Sequence, residues 1–269
     1  MKKVLFVFII ILPLVVFGIL ILNNKSTTPQ NSGAQNFSPT LKNLTINSLS
    51  IDNFTISWFE ITNIDNLKLI PNFSEKLSSR EVMDEYSCKF VSNSVFYAAN
   101  SSSAYAAGSG SASSNQPLGL FIADSQKMAS WQENPLFDGI LSINDMATPR
   151  ITRNVPQDNL MIAIQSGPFI KENNEFQNLR IKEDGKSRRV VAAVTGENKL
   201  FFIVVYDPSS QYSGPLLANL PSLLKDFENT SKLTFADILN LDGGSASTFN
   251  VLDNDLSELT PVGAFFCQI

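Results

Sequence analysis

The chain has 269 residues, 43% of them hydrophobic, enough for one large domain or two small ones. Its 20 basic and 25 acidic residues leave a net charge of -5, with no long Lys/Arg cluster, so nucleic acid is not an expected partner. Histidine is absent, which excludes Ser-His-Asp and Cys-His hydrolases, imidazole acid–base catalysis and most zinc sites. Any chemistry must use carboxylates, hydroxyls, amides, Arg, Lys or Tyr, and neither a metal nor a cofactor is expected.

Met1-Lys2-Lys3 precedes the apolar run Val4–Leu22, broken only by Pro13 and Gly18. At about 1.5 Å per residue the run spans roughly 28 Å, close to the hydrocarbon thickness of a bilayer. Asn23-Asn24-Lys25 offers no Ala-x-Ala cleavage pattern and no cysteine for lipidation. The expectation is an uncleaved single-pass signal anchor over residues 1–23, with a cleaved signal as the alternative. Lys2 and Lys3 place the tip in the cytoplasm and the rest of the chain on the extracytoplasmic side. Residues 24–43 read as a flexible polar linker rich in Ser, Thr, Asn and Gln, and residues 44–269 as the folded domain.

Within the domain, strands are expected near 54–61, 89–97, 118–123, 160–165, 190–195, 200–206, 236–241 and 262–267. Ser78-Ser79-Arg80-Glu81 is a capping box that opens a short helix through Tyr86. Asn219-Leu220-Pro221 opens a second helix through Phe227, with proline near the start, where its missing N–H costs nothing. Few helices among many strands predict an α+β fold with a mixed or antiparallel sheet core. The low-complexity stretch Asn100–Gln116 reads as a disordered insertion, with a substrate lid as the sharper alternative. Cys88 and Cys267 lie in the first and last thirds of the domain; in an exported chain a disulfide between them is expected, with two buried thiols as the alternative.

Four segments carry the chemistry. Asn93 and Phe96 lie in Phe90-Val91-Ser92-Asn93-Ser94-Val95-Phe96-Tyr97. Gln165-Ser166-Gly167-Pro168 follows the apolar run Leu160–Ile164. Arg189 opens a hairpin that turns at Gly196-Glu197-Asn198, while Lys186 and Arg188 beside it read as a solvated hairpin end. Asp242-Gly243-Gly244-Ser245-Ala246-Ser247-Thr248 follows the run Ile238–Leu241. Taken alone, Asp-Gly-Gly reads as a turn after a strand. As a site, it offers a carboxylate, the hydroxyls of Ser245 and Ser247, and amides able to form an anion-binding nest.

In order, these segments resemble the motifs of the phosphodiester glycosidase family, from about Ser78 to the C-terminus. The family loop usually reads Asp-Gly-Gly-Gly-Ser-Ser-Thr, so Ser245 stands where a third glycine is usual, at a position open to positive φ. The resemblance implies hydrolysis of a sugar-1-phosphodiester, a carbohydrate substrate held without a cofactor. Asp242 is then the base or acid, or a ligand for sugar hydroxyls, and Arg189 a bidentate partner for the phosphodiester charge. The amides of Gly243, Gly244 and Ser245 would hold the non-bridging oxygens, with Ser247 adding a hydroxyl. Gln165, Ser166 and Gly167 would orient the substrate, with Asn93 as a further amide contact. For Gln165, a buried amide satisfying loop backbone is an equal reading. Glycoside cleavage usually uses two carboxylates, and Asp124 or Glu60 is the candidate second. The competing function is a non-catalytic, membrane-tethered glycan-binding module.

Overall fold

The structure, a computed structural model, describes residues 46–98, 116–251 and 254–269. The expected anchor, the linker and all but Gln116 of the low-complexity stretch lie outside the described residues. Among the described residues no helix is long and apolar enough to cross a membrane.

The fold is α+β, with its strands in three main sheets whose neighbours pair antiparallel. The largest sheet has the order Asn47–Ile51, Phe54–Ile61, Leu200–Tyr206, Arg189–Val194, Asp237–Asn240, Phe169–Glu172, Glu175–Phe176. A second sheet is built around Gly139–Asn144 and Leu160–Ser166, and a third around Phe90–Asn93 and Ala264–Gln268.

Residues 190–194 and 200–205, inside the strands Arg189–Val194 and Leu200–Tyr206, are apolar throughout because both faces of their sheet are covered. Val190, Ala192 and Val194 enter the main core shared with the other two sheets. Val191 and Ala193 face the opposite way, into a cluster with Leu220, Leu223, Leu224 and Phe227 of the second helix. Fully burying each such side chain contributes about 1.5–3 kcal/mol, so these two strands anchor the fold.

The capping box read from Ser78 and Glu81 is formed: the Ser78 amide donates to Glu81 Oε2 at 2.7 Å and the Glu81 amide to Ser78 Oγ at 3.3 Å. The second helix runs over Leu220–Ser231, past the predicted end at Phe227. Glu228 holds the extra turn down, pairing with the buried Lys171 Nζ at 2.8 Å and accepting the Phe235 amide at 2.9 Å. The expected strand 89–97 ends at Asn93, and a new two-residue strand starts at Tyr97. Several strands were not legible, among them Gly139–Asn144, whose Ser142 and Asn144 are buried and break the apolar pattern.

Cys88 and Cys267 are joined by a disulfide with Cα atoms 5.5 Å apart. It sits in a small apolar cluster with Ile70, Val82, Val91 and Phe265. Closing a loop of this length contributes about 5 kcal/mol in the chain-entropy account.

Candidate active site

The last hydrogen bond beyond the strand Asp237–Asn240 runs from the Leu241 amide to the Val190 carbonyl at 2.9 Å. Asp242 follows, and the chain then turns through one 3-10 turn, Gly244–Ala246. The left-handed residue of the loop is Gly244, with φ 66, while Gly243 is extended. Ser245 lies inside the turn without positive φ, so its Cβ costs no backbone strain. The departure from the family pattern at this position is therefore compatible with the loop's shape.

Asn93 joins the two ends of the loop. Its Nδ2 donates to the Asp242 carbonyl at 2.7 Å, and its Oδ1 accepts the Thr248 amide at 3.0 Å. It is fully buried, so its amide shapes the loop. The loop's own amides are mostly occupied as well: Gly243 N–H donates to Asp242 Oδ1 at 2.8 Å, and Gly244 N–H to the Arg188 carbonyl at 3.0 Å. Of the three amides expected to cradle an anion, that of Ser245 has no partner among the described residues.

Asp242 keeps some accessible surface, yet its carboxyl is enclosed by protein on most sides. Burial raises its pKa to about 7, opposed only by the Gly243 N–H bond to the charged form. Arg189 forms no ion pair with it among the described residues; instead its Nη2 contacts Asp184 Oδ1 at 3.3 Å and the Gly185 carbonyl at 2.6 Å. Nε donates to the Pro215 carbonyl at 3.2 Å. Burial lowers the Arg189 pKa and Asp184 opposes that shift. Nη1 is the end turned to the loop, within 3.7 Å of where a Cβ on Gly243 would lie. Arg189 thus offers an anion one nitrogen; a two-point grip requires Nη2 to leave Asp184.

Arg188 corrects the sequence reading. The expected solvated residue is among the largest fully buried side chains in the domain. Its Nε donates to Ser247 Oγ at 2.7 Å, and its Nη2 donates to the Ser247 carbonyl and, at 2.9 Å, to the Ser257 carbonyl. Burial lowers its pKa to about 10, partly offset by the charge of Glu258 and by Tyr212, whose ring lies 5.3 Å from the guanidinium carbon. Ser247 Oγ, already accepting from Arg188, donates to the Gly244 carbonyl at 2.6 Å. Its hydroxyl therefore braces the loop.

Gln165, Ser166 and Gly167 form the neighbouring wall. Gln165 Oε1 accepts the amides of Leu120 and Gln132, both at 3.0 Å, and Nε2 donates to the carbonyls of Gln132 and Phe137 at 2.5 and 2.8 Å. All four bonds of this buried amide go to loop backbone, which matches the second of its two readings. Ser166 Oγ donates to the Asn240 carbonyl at 2.7 Å, and Asn240 Nδ2 returns a bond to the Gly167 carbonyl at 2.9 Å. Gly167 lies so close to the next loop that a Cβ would sit 2.4 Å from the Leu136 carbonyl oxygen. Asp124 and Glu60, the candidate second carboxylates, are both exposed, the first in a hairpin turn with φ 48 and the second in the strand Phe54–Ile61. No second carboxylate among the described residues contributes to the Asp242 shift. No cluster of three or more Asp, Glu or Cys among them is placed to hold a metal ion.

Tyr97 was not singled out from sequence, although it directly follows Phe96 in the segment that contains Asn93. Its hydroxyl donates to the Pro261 carbonyl at 2.7 Å. Its phenol pKa is raised, first by burial and then by the charge of Asp242. The base of the ring packs against Gly263, where a Cβ would come within 2.7 Å of Tyr97 Cγ.

The phosphodiester glycosidase family profile matches residues 88–265. No curated protein matches the chain. Among solved structures, the catalytic domain of zebrafish N-acetylglucosamine-1-phosphodiester alpha-N-acetylglucosaminidase, auto-inhibited by its pro-peptide, superposes with a TM-score of 0.59 at 14% identity, over 83% of this chain and 81% of that one. A hypothetical protein from Synechocystis gives 0.54 at 11% identity, over 82% of this chain and 61% of that one. Both are similarities of fold. The family match spans the disulfide cysteine Cys88, Asn93, the Gln165 wall, both arginines and the whole Asp242 loop, and the chain belongs to the phosphodiester glycosidase family.

Proposed function

We propose that this glycosidase domain hydrolyses a sugar-1-phosphodiester in a surface glycan or related conjugate, releasing the sugar and a phosphomonoester. The observation that carries the reading is the Asp242 carboxyl, raised to about 7 in a loop braced from behind by Arg188 and Asn93. A carboxyl with that affinity for protons serves as a general base near neutral pH. The Ser245 amide and Arg189 Nη1 supply donors for the phosphodiester oxygens. Among the described residues one carboxylate sits at the loop, where glycoside cleavage usually uses two. The leaving group accounts for the difference, since a phosphomonoester is a far weaker base than an alkoxide and departs without a strong general acid.

The test is turnover by the full-length chain in detergent on the methyl phosphodiesters of N-acetylglucosamine-1-phosphate and glucose-1-phosphate. Free sugar is expected from at least one. Measurable glycan binding with no release from any sugar phosphodiester would give the site to the binding-module alternative.

The same proposal places the domain on the extracytoplasmic side of the cytoplasmic membrane, tethered by Val4–Leu22. The apolar length of that run supports it, as does a disulfide suited to an oxidising compartment. Protease added to intact spheroplasts is expected to digest the domain. Survival of the full-length chain would overturn this topology.

A further inference from the structure

A phosphodiester carries one negative charge, whereas the phosphomonoester it yields carries nearly two at neutral pH, its second pKa being about 6. A site that met the phosphate with an uncompensated cation would therefore hold its product more tightly than its substrate. The balance of charge around Arg189 decides which of the two is favoured.

Asp184 sets that balance. It lies between the strands Glu175–Phe176 and Arg189–Val194. Its Oδ1 accepts the Leu217 amide at 2.9 Å and its Oδ2 the Ala218 amide at 2.8 Å, both from the 3-10 turn Leu217–Asn219 that leads into the second helix. The carboxylate thus satisfies two N–H groups at a helical start, where partners within the turn are lacking. These bonds fix it independently of the arginine. The same Oδ1 accepts from Arg189 Nη2 at 3.3 Å.

The guanidinium is therefore tied through Nη2 to Asp184 and Gly185, with Nη1 beside Gly243, the residue after Asp242. Side-chain exposure is 13% for Arg189 and 10% for Asp184, so water screens the pair poorly and an anion at Nη1 feels both charges. Arg188, fully buried and bonded to Ser247 and Ser257, gives such an anion no direct contact.

We propose that Asp184 is a specificity-determining residue: by balancing the charge of Arg189 it makes the site select monoanionic phosphodiesters over dianionic phosphomonoesters. The inference rests on the reading above, in which Arg189 Nη1 meets a phosphodiester oxygen. Nη1 donates a hydrogen bond to either anion. What the carboxylate takes away is net positive charge, and a dianion loses about twice as much attraction from that as a monoanion does. Asp242, when ionised, adds to the same bias. The phosphomonoester is therefore released after cleavage, and free sugar-1-phosphates compete weakly for the site.

The probes are a carbon-linked glucosyl phosphonate and its monomethyl ester, a dianion and a monoanion at pH 9. Both keep the sugar, and neither has a bond at the anomeric carbon that this hydrolysis can break. Calorimetric titration of the full-length chain in detergent measures the two affinities. The wild type is expected to bind the ester at least as tightly as the phosphonate. Asp184→Asn and Asp184→Ser each remove the charge and keep an oxygen for the capped amides. Both variants are expected to gain about 10-fold for the phosphonate and about 3-fold for the ester, so that preference moves toward the dianion. Equal weakening of both ligands would make Asp184 a structural support for Arg189 and nothing more. An unchanged ratio in the variants, or a wild-type preference for the dianion, would equally overturn the proposal. Expected binding by a chain that hydrolyses no diester would sink the hydrolase reading and leave the charge selection standing.

Discussion

Asp242→Asn is expected to abolish hydrolysis and to stabilise the fold at the same time. The amide keeps the size of the side chain and can still accept the Gly243 N–H, but it has no basicity. Loss of a general base of this kind costs about 100- to 10,000-fold in rate. The stability gain follows from the sign of the pKa shift. The folded-state value of about 7 lies above that of the unfolded chain, so holding the carboxyl ionised costs the folded state free energy. That cost is complete above pH 7, shrinks as pH falls from 7 toward 4, and vanishes below the unfolded value. At pH 8 the asparagine variant is expected to be more stable by about 2 kcal/mol, a figure reduced for the solvent that still reaches the group. At pH 4 the two proteins are expected to melt together. The wild-type rate should rise with pH through about 7. Thermal melts at the two pH values and steady-state kinetics check the result. Activity that survives the substitution undiminished would remove Asp242 from the mechanism.

Arg188→Ala is expected to be the most damaging single change to the loop. It removes a fully buried side chain, leaves the carbonyls of Ser247 and Ser257 without their donor, and opens a cavity behind the turn. Together these cost about 3–5 kcal/mol, which for a domain of this size lowers Tm by roughly 10 °C. Arg188→Lys retains the charge but cannot reach three acceptors with one ammonium, so it is expected to recover only part of the loss. Urea and thermal unfolding measure both. A shift of less than about 2 °C for the alanine variant would mean that Arg188 does not hold the loop.

The two adjacent arginines mark where sequence reasoning stops. That Arg188 is buried behind this loop was not legible from the hairpin, because neighbouring side chains take opposite faces and a one-residue change of register exchanges them. The register was fixed by pairing Val191 with Asn240 and Val190 with Leu241, contacts between segments some fifty residues apart. Arg189 then falls on the helix-covered face, beside Asp184, while Arg188 falls behind Ser247. Tyr97 was hidden for a related reason. A straight strand through residues 89–97 would carry it away from Asn93, and only the break after Asn93 brings it to Pro261. By contrast, the long apolar strands and the capping box were legible because their causes are local or their burial is two-sided. The glycine pair was legible too, although a single one of its members, Gly244, uses the left-handed conformation.

The bond between Cys88 and Cys267 takes the whole family-matched segment, residues 88–265, into one covalent circle. A single backbone cut anywhere inside that circle therefore produces no separate pieces: the Asn93 side and the Asp242 side remain one molecule, tied through sulfur. Wherever a protease acts and reductants are scarce, the domain can be nicked once and keep both halves of its site.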